Sequence, residues 1–430
     1  MAKLTPTQLK DLTSLSTFRD LLSFSSANEP DYSNDYTTHI LTYLQDPDFQ
    51  ELIFSPEILD QLLTLLLHHE AHDSSSDPEL VFKELATSQT GDTAPPELYL
   101  THLVTAISNL SATDAFLTFA RQDALSSPVI QRIRTRLTAD TSIDHAPSTV
   151  ALCVILGNLA MSEDVCETMV SDWHLHIPLI RILRNSTHSA FLYSALGLIR
   201  HLAMPELNRA VLGEAGLIDA CARCLENTDD AAVRGEAAAV LRQTMANMLE
   251  NVERIVTPRD AQEKTCLATL VSASLEPPTP LPSTRMKNLS IETGRTIVTI
   301  LRCLARCGTN DAPDLRNKIF SNPRIALPLA RLVRQHIYPD ARAEGLLGLG
   351  LMAQSAEGAA CVLAEMRDDD GVLDAIREVA EEKGGSGSGR EYQNGMVLLQ
   401  ALGDNRGSGD DDGMKERIEE VKRELGRMMV

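Results

Sequence analysis

Apolar residues recur along this chain three and four positions apart. Phe18, Leu21 and Leu22 set the pattern near the start, and Leu152, Leu156 and Leu159 repeat it, as do Leu196, Ile199 and Leu202. Positions so spaced share one face of a helix, so the pattern predicts helices throughout. The stretch from residue 149 to 217 writes one phrase twice: an apolar helix, a Glu-Asp break, the apolar run 177–183, then the helix again, ending before Pro205. In this alignment Asn158 falls on His201 and Ala160 on Ala203, a period of 43 residues. Gln243 follows His201 after 42, and Asn109, in the SNLS phrase, precedes Asn158 by 49. Periods of about 40 to 47 residues mark armadillo and HEAT arrays, whose repeats bury their apolar faces only by stacking on neighbours. The predicted fold is all-α: an armadillo/HEAT-like right-handed superhelical solenoid of about seven to eight repeats.

The breaks order the chain. Residues 5–71 read as three or four helices, with a polar break at 26–35 and a helix over 56–69 whose leucines cover nearly every face, as in the inner helix of a repeat. A Ser, Asp, Thr and Pro-rich stretch over 71–96 predicts loops around a short helix at 79–86. Prolines 277, 278, 280 and 282 end the helix before them. Gly and Ser at 383–390 predict a flexible insert, and a Gly and Asp-rich segment follows at 403–413. The expected domains are diverged N-terminal repeats over 1–146, C-terminal repeats over 147–405 with inserts near 276–288 and 383–390, and an acidic linker with a capping helix over 406–430. In that last helix Ile418, Val421 and Leu425 are placed to cover the open end of the array.

Charge narrows the partners. A formal net charge of −21 opposes phosphate, which argues against nucleic acid or an anionic membrane surface as the main partner and favours a basic one. The plainer reading is that the charge keeps an extended protein soluble. The eight cysteines lie mostly in apolar helical phrases, the start MAKLTPTQLKDL has no apolar signal core, and the run 346–352 is too short to span a bilayer. A cytoplasmic monomer without membrane insertion is expected.

Little points to chemistry. Cys221 and Cys224 form a CxxC and Cys303 and Cys307 a CxxxC, but both sit in apolar helices without a second ligand pair, which reads as core. His174 and His176 read as surface loop, and His68, His69 and His72 make no HExxH. GEAGL at Gly213 is a turn between helices, and the glycines at 345, 348 and 350 fit a helix that a neighbour approaches closely. No enzyme, cofactor or metal is expected. What remains is a surface: Asn158, Arg200, His201, Glu236, Gln243, Arg295 and Glu344 interrupt Ala, Leu and Gly-rich helices at recurring positions. In a repeat array such residues line a groove.

Three phrases in order, ILGNLAMSEDVCETMV, SALGLIRHLAMPELNRAVLGEAGL and AEGLLGLGLMAQSAEGAA, resemble repeats of the small-GTPase dissociation stimulator family (SmgGDS type) over about 148–405. The resemblance implies binding of Rho-, Rap- or Ras-type GTPases with a polybasic, prenylatable C-terminal tail. Promotion of nucleotide release or escort of the tail would follow, with no catalytic group. It assigns Asn158 to the GTPase contact and places Glu344 at the Glu of an Ala-Leu-rich phrase. The chain departs from the family at Ser162 and His201, where the family has Asn. An armadillo scaffold or adaptor that binds basic peptides without exchange is the other reading, although the tryptophan ladder of such adaptors has only Trp173 to draw on.

Overall fold

A computed structural model of the protein describes residues 6–25, 33–72, 99–122, 124–139, 146–276, 281, 286–306, 313–335, 339–368, 371–382, 389–405 and 412–427. Every regular element among them is helical. The short helix expected at 79–86 and most of the inserts at 383–390 and 403–413 lie outside the described residues. By compactness the chain falls into two units, Met1–Pro205 and Glu206–Val430. The sequence boundaries at 146 and 405 rest on repeat clarity and composition, a different criterion.

The first unit runs α1 (Pro6–Ser25), α2 (Ser33–Tyr43), α3 (Pro47–Ile53), α4 (Pro56–His72), α5 (Tyr99–Leu110), α6 (Asp114–Ala120), α7 (Pro128–Ala139), α8 (Ser148–Leu159), α9 (Glu163–Ser171), α10 (His176–Asn185) and α11 (Ser189–Leu202). Three-helix repeats emerge as α3–α5, α6–α8 and α9–α11, preceded by the pair α1–α2. Their third helices, α2, α5, α8 and α11, stack in succession, and α1, α4 and α7 stack as second helices. The leucine-rich helix read as the inner helix of a repeat is α4, which stands as the second helix of its three. Its all-round apolarity has the anticipated cause: α4 touches α1, α5, α7 and α8. Phe54, Phe116 and Phe119 fill the turn between α3 and α6 with ring centroids 5.4 to 5.9 Å apart.

The second unit runs α12 (Glu206–Glu214), α13 (Leu217–Asn227), α14 (Ala231–Met245), α15 (Leu249–Ile255), α16 (Cys266–Leu275), α17 (Leu289–Arg306), α18 (Pro313–Phe320), α19 (Leu327–Arg334), α20 (Pro339–Met352), α21 (Ala356–Asp368), α22 (Gly371–Glu382), α23 (Arg390–Asp404) and α24 (Asp412–Arg427). These form four repeats and a cap. The third helices α14, α17, α20 and α23 stack in order, and α24 closes the end on α22 and α23. Ile418 and Val421 of α24 are buried, as expected, while the Leu425 side chain lies outside the described residues.

Local chemistry sets the breaks. Thr113, Ser162, Asp230 and Thr265 each cap the helix that follows by accepting a backbone N–H. Gly216 takes a left-handed φ of 84° between α12 and α13, which suits glycine. The glycine phrase in α20 is helical, and a Cβ at Gly345 would come within 2.9 Å of the Leu329 carbonyl oxygen, so its small residues do permit close approach of α19.

Candidate functional site

The seven expected groove residues all lie on third helices. Asn158, Arg200 and His201 belong to the first unit, on α8 and α11, while Glu236, Gln243, Arg295 and Glu344 belong to the second, on α14, α17 and α20.

In the first unit the Asn158 amide is committed to the fold. Its Nδ2 donates to Ser111 Oγ at 2.9 Å, and that hydroxyl donates to the Ser108 carbonyl oxygen at 2.7 Å. Asn158 thus ties α8 to the end of α5. His201 does something similar one repeat on. Its ring hydrogen-bonds the backbone of Ala160, just past α8, and its Nδ1 is buried with no hydrogen-bond partner among the described residues. Burial first, then the Arg200 charge, lower its pKa and outweigh the Ala160 bond, so the neutral imidazole is favoured. Arg200 is half-buried beside it.

In the second unit charge runs from helix to helix. Arg242 of α14 donates through Nε to Glu292 of α17 at 2.7 Å, and Arg295, one turn along α17, lies 3.6 Å from the same carboxylate. Arg295 Nε in turn donates to Glu344 of α20 at 2.9 Å. Arg342 of α20 lies 3.7 Å from Glu391 of α23, and Asn394 Nδ2 donates to the Ala343 carbonyl oxygen. The structure therefore brings Arg295 and Glu344 together and leaves Gln243 half-buried near the end of α14, with Glu236 buried at mid-helix. Sequence reasoning missed Arg242 and Glu292. The available signal was opposite charge at the repeat spacing, since the two direct pairs span 50 and 49 residues.

A groove of about 800 Å³ also opens in the first unit between α2–α3 and α5. Leu41, Gln45 and Glu51 line one side; His102, Thr105 and Asn109 line the other, at the i, i+3, i+7 spacing of one helix face. Between α4, α7 and α8 lies a more apolar cavity of about 540 Å³, with Leu63, Leu67, Ile133 and Leu152 in its wall and Arg132 and Arg136 beside them. Those two cations pair with Asp60 at 2.7 Å and Glu70 at 3.4 Å.

Cys221, Cys224 and Cys266 are buried, and burial pushes the Cys221 thiol well up and the other two to about 12. Cys303 is buried, and Cys307 lies outside the described residues. His174 is exposed, but His176 is buried at the start of α10, which corrects the expectation that both lie in a surface loop. Apolar Trp173 and Leu175 flank His174 and are themselves buried, so the turn is drawn inward. Trp173 carries the Arg134 guanidinium 5.3 Å above its ring centroid and offers no aromatic face to a groove. Among the described residues no group of three or more His, Cys, Asp or Glu side chains is placed to hold a metal ion, and no single helix is long and apolar enough to cross a membrane.

No family model and no curated protein matches the chain. Among solved structures, one concerning the phosphorylation switch that controls the interaction between cadherin and beta-catenin aligns over 91% of this chain and 78% of its own, with 16% identity and a TM-score of 0.55. An engineered protein aligns over 97% and 96% of the two chains at 16% identity and a TM-score of 0.49. A designed armadillo repeat protein in complex with the peptide (KR)4 aligns over 63% and 98% at 16% identity and a TM-score of 0.44. The first of these likenesses agrees with the three-helix repeats, and the chain has an all-α, armadillo-like fold.

Proposed function

We propose that this chain is a non-enzymatic binding protein whose third-helix faces take a protein partner, and that the partner is a small GTPase of the Rho, Rap or Ras type with a polybasic C-terminal tail. The observation that carries this reading is the placement of polar residues on third helices, near the helix end at Asn158, His201 and Gln243 and in the first half of the helix at Glu236, Arg295 and Glu344, in a chain of net charge −21. Within each unit the stacked third helices hold such residues on a rigid support, and an acidic surface attracts a basic tail and speeds its encounter. The three repeat phrases that resemble the dissociation stimulator family supply the choice of partner. The apolar cavity beside Leu63 and Leu152 suits an isoprenoid on that tail.

The mechanism is thermodynamic coupling. A protein that holds the nucleotide-free GTPase more tightly than the loaded form weakens nucleotide binding by the same factor, without a catalytic group. The chain acts as a monomer in the cytoplasm, with no cofactor. Release of fluorescent GDP from a panel of GTPases tests the reading: addition of the protein should accelerate release, less so at high salt or with a neutralised tail. Prenylated and unprenylated GTPases separate exchange from escort.

A second reading is favoured by the groove along α5. His102, Thr105 and Asn109 face Glu51 and Gln45 across it, as would suit an extended peptide with basic residues. Tight binding of Lys/Arg peptides with no change in GDP release from any GTPase would select this adaptor role.

A further inference from the structure

Helix α17 is the longest of the second unit, and its N-terminus opens into a cleft of about 300 Å³ lined by Arg234, Ser274, Glu276, Asn288, Ser290 and Arg331, among others. Asn288 Oδ1 accepts the Ile291 amide at 3.2 Å. The leading amides of a helix point outward and concentrate partial positive charge, which favours an anion there. The backbone comes this close because position 235 is glycine: a Cβ there would sit 1.8 Å from the Lys287 carbonyl oxygen, so only glycine lets residues 287–289 rest on α14 beside Arg234.

The two guanidiniums give the cleft its chemistry. The Arg234 side chain is 10% exposed, and its Nη1 donates to Glu276 Oε2 at 2.6 Å. Its Nε is buried with no hydrogen-bond partner among the described residues. Arg331 donates through Nη1 to the Ser274 carbonyl oxygen. Burial first, then the like charge of Arg324, disfavour its cationic form and outweigh the opposing attraction of Glu365. A guanidinium has five N–H donors, more than these contacts use. Two cations face one carboxylate, so the wall is net positive in a chain whose total charge is −21. That carboxylate, on the residue just after α16, is 59% exposed, so solvent already reaches the group that a bound anion would replace.

We propose that this cleft binds a phosphoryl group, either inorganic phosphate or one carried by a partner's side chain, and that Glu276 is the internal anion it displaces. Three acceptor oxygens and a charge near −2 match donors arriving from Arg234, Arg331 and the α17 N-terminus better than one carboxylate does. The site stands apart from the partner reading above and does not depend on it.

The test uses the full chain and inorganic phosphate at constant ionic strength, followed by broadening of the 31P resonance. Saturable broadening is expected. Arg331→Gln should weaken it by about tenfold, the scale of a lost charge-assisted contact. Glu276→Gln should strengthen it, because the competing carboxylate is gone; a merely structural Glu276 would not give that sign. No saturation in the wild type, equal affinity in Arg331→Gln, or unchanged or weaker binding in Glu276→Gln overturns the proposal. Circular dichroism checks folding, and if Arg331→Gln fails to fold, the exposed Glu276→Gln decides alone. Displacement of phosphate by a phosphoserine peptide, but not by its unphosphorylated twin, assigns the site to a modified partner; absence of displacement assigns it to free phosphate.

Discussion

Arg295 Nε donates to Glu344 Oε2 at 2.9 Å, joining α17 to α20 across neighbouring repeats. Both side chains were expected to face a ligand, and each has the other as its partner. Behind them Glu292, almost fully buried, lies between Arg242 and Arg295, so the acid–base run continues from α14 through α17 to α20. A buried carboxylate needs such company, because leaving one uncompensated costs several kcal/mol. The ladder fixes the register of one third helix on the next, a task separate from gripping a partner.

Removing these partners should therefore cost stability. Arg242→Ala, which takes the closest cation from buried Glu292, is expected to lower unfolding free energy by about 2 kcal/mol, the usual scale for a charged hydrogen bond lost in a core. A double-mutant cycle on Arg295 and Glu344, both partly exposed, should give a smaller coupling of about 1 kcal/mol. Urea unfolding measures both.

Asn158 behaves as a tie between repeats. Asn158→Ala should destabilise by about 1 kcal/mol through the lost bond to Ser111. If nucleotide exchange or GTPase affinity falls while stability holds, the contact role implied by the family phrase is the correct one. Ser162→Ala should cost about 1 kcal/mol in its own right, since Ser162 Oγ accepts the Val165 amide as the cap of α9.

His201 makes stability depend on pH. Its folded pKa lies below the ordinary 6.5, so the unfolded chain takes up the proton more readily. The contribution of His201 is then fully present above pH 6.5 and is lost as pH falls toward and through the lowered folded value. His201→Asn, which cannot titrate, should flatten the melting temperature against pH in that acidic range. An unchanged slope would place the titration elsewhere, with buried His176, lowered in the same direction by burial and His174, as the next group to replace.

Gly235 should tolerate nothing larger. Alanine favours a helix over glycine by about 1 kcal/mol, yet its Cβ would strike the Lys287 carbonyl, a backbone atom that cannot rotate away. Overpacking of this kind costs about 1 to 3 kcal/mol, so Gly235→Ala is expected to be destabilising on balance. An increase in melting temperature would show that residues 287–289 move aside without cost.

The all-helical class, the apolar helices and the repeat period were legible in the sequence because they follow from short-range rules, apolar spacing and prolines at breaks, whereas Glu163–Ser171, read as part of a Glu-Asp break, is the helix α9. The same rules placed all seven polar residues on third helices and read the glycines of α20 as a close approach. They could not say what each polar side chain meets, because its neighbours lie some 40 to 50 residues away and belong to another repeat. Only stacking decided that Asn158 meets Ser111, that Arg295 meets Glu344, and that the leucine-rich helix after Pro56 takes the second place in its repeat. The cleft at α17 shows the same limit: Arg234, Glu276 and Arg331 are far apart in the chain, and their union depends on how closely one backbone can lie against another at Gly235.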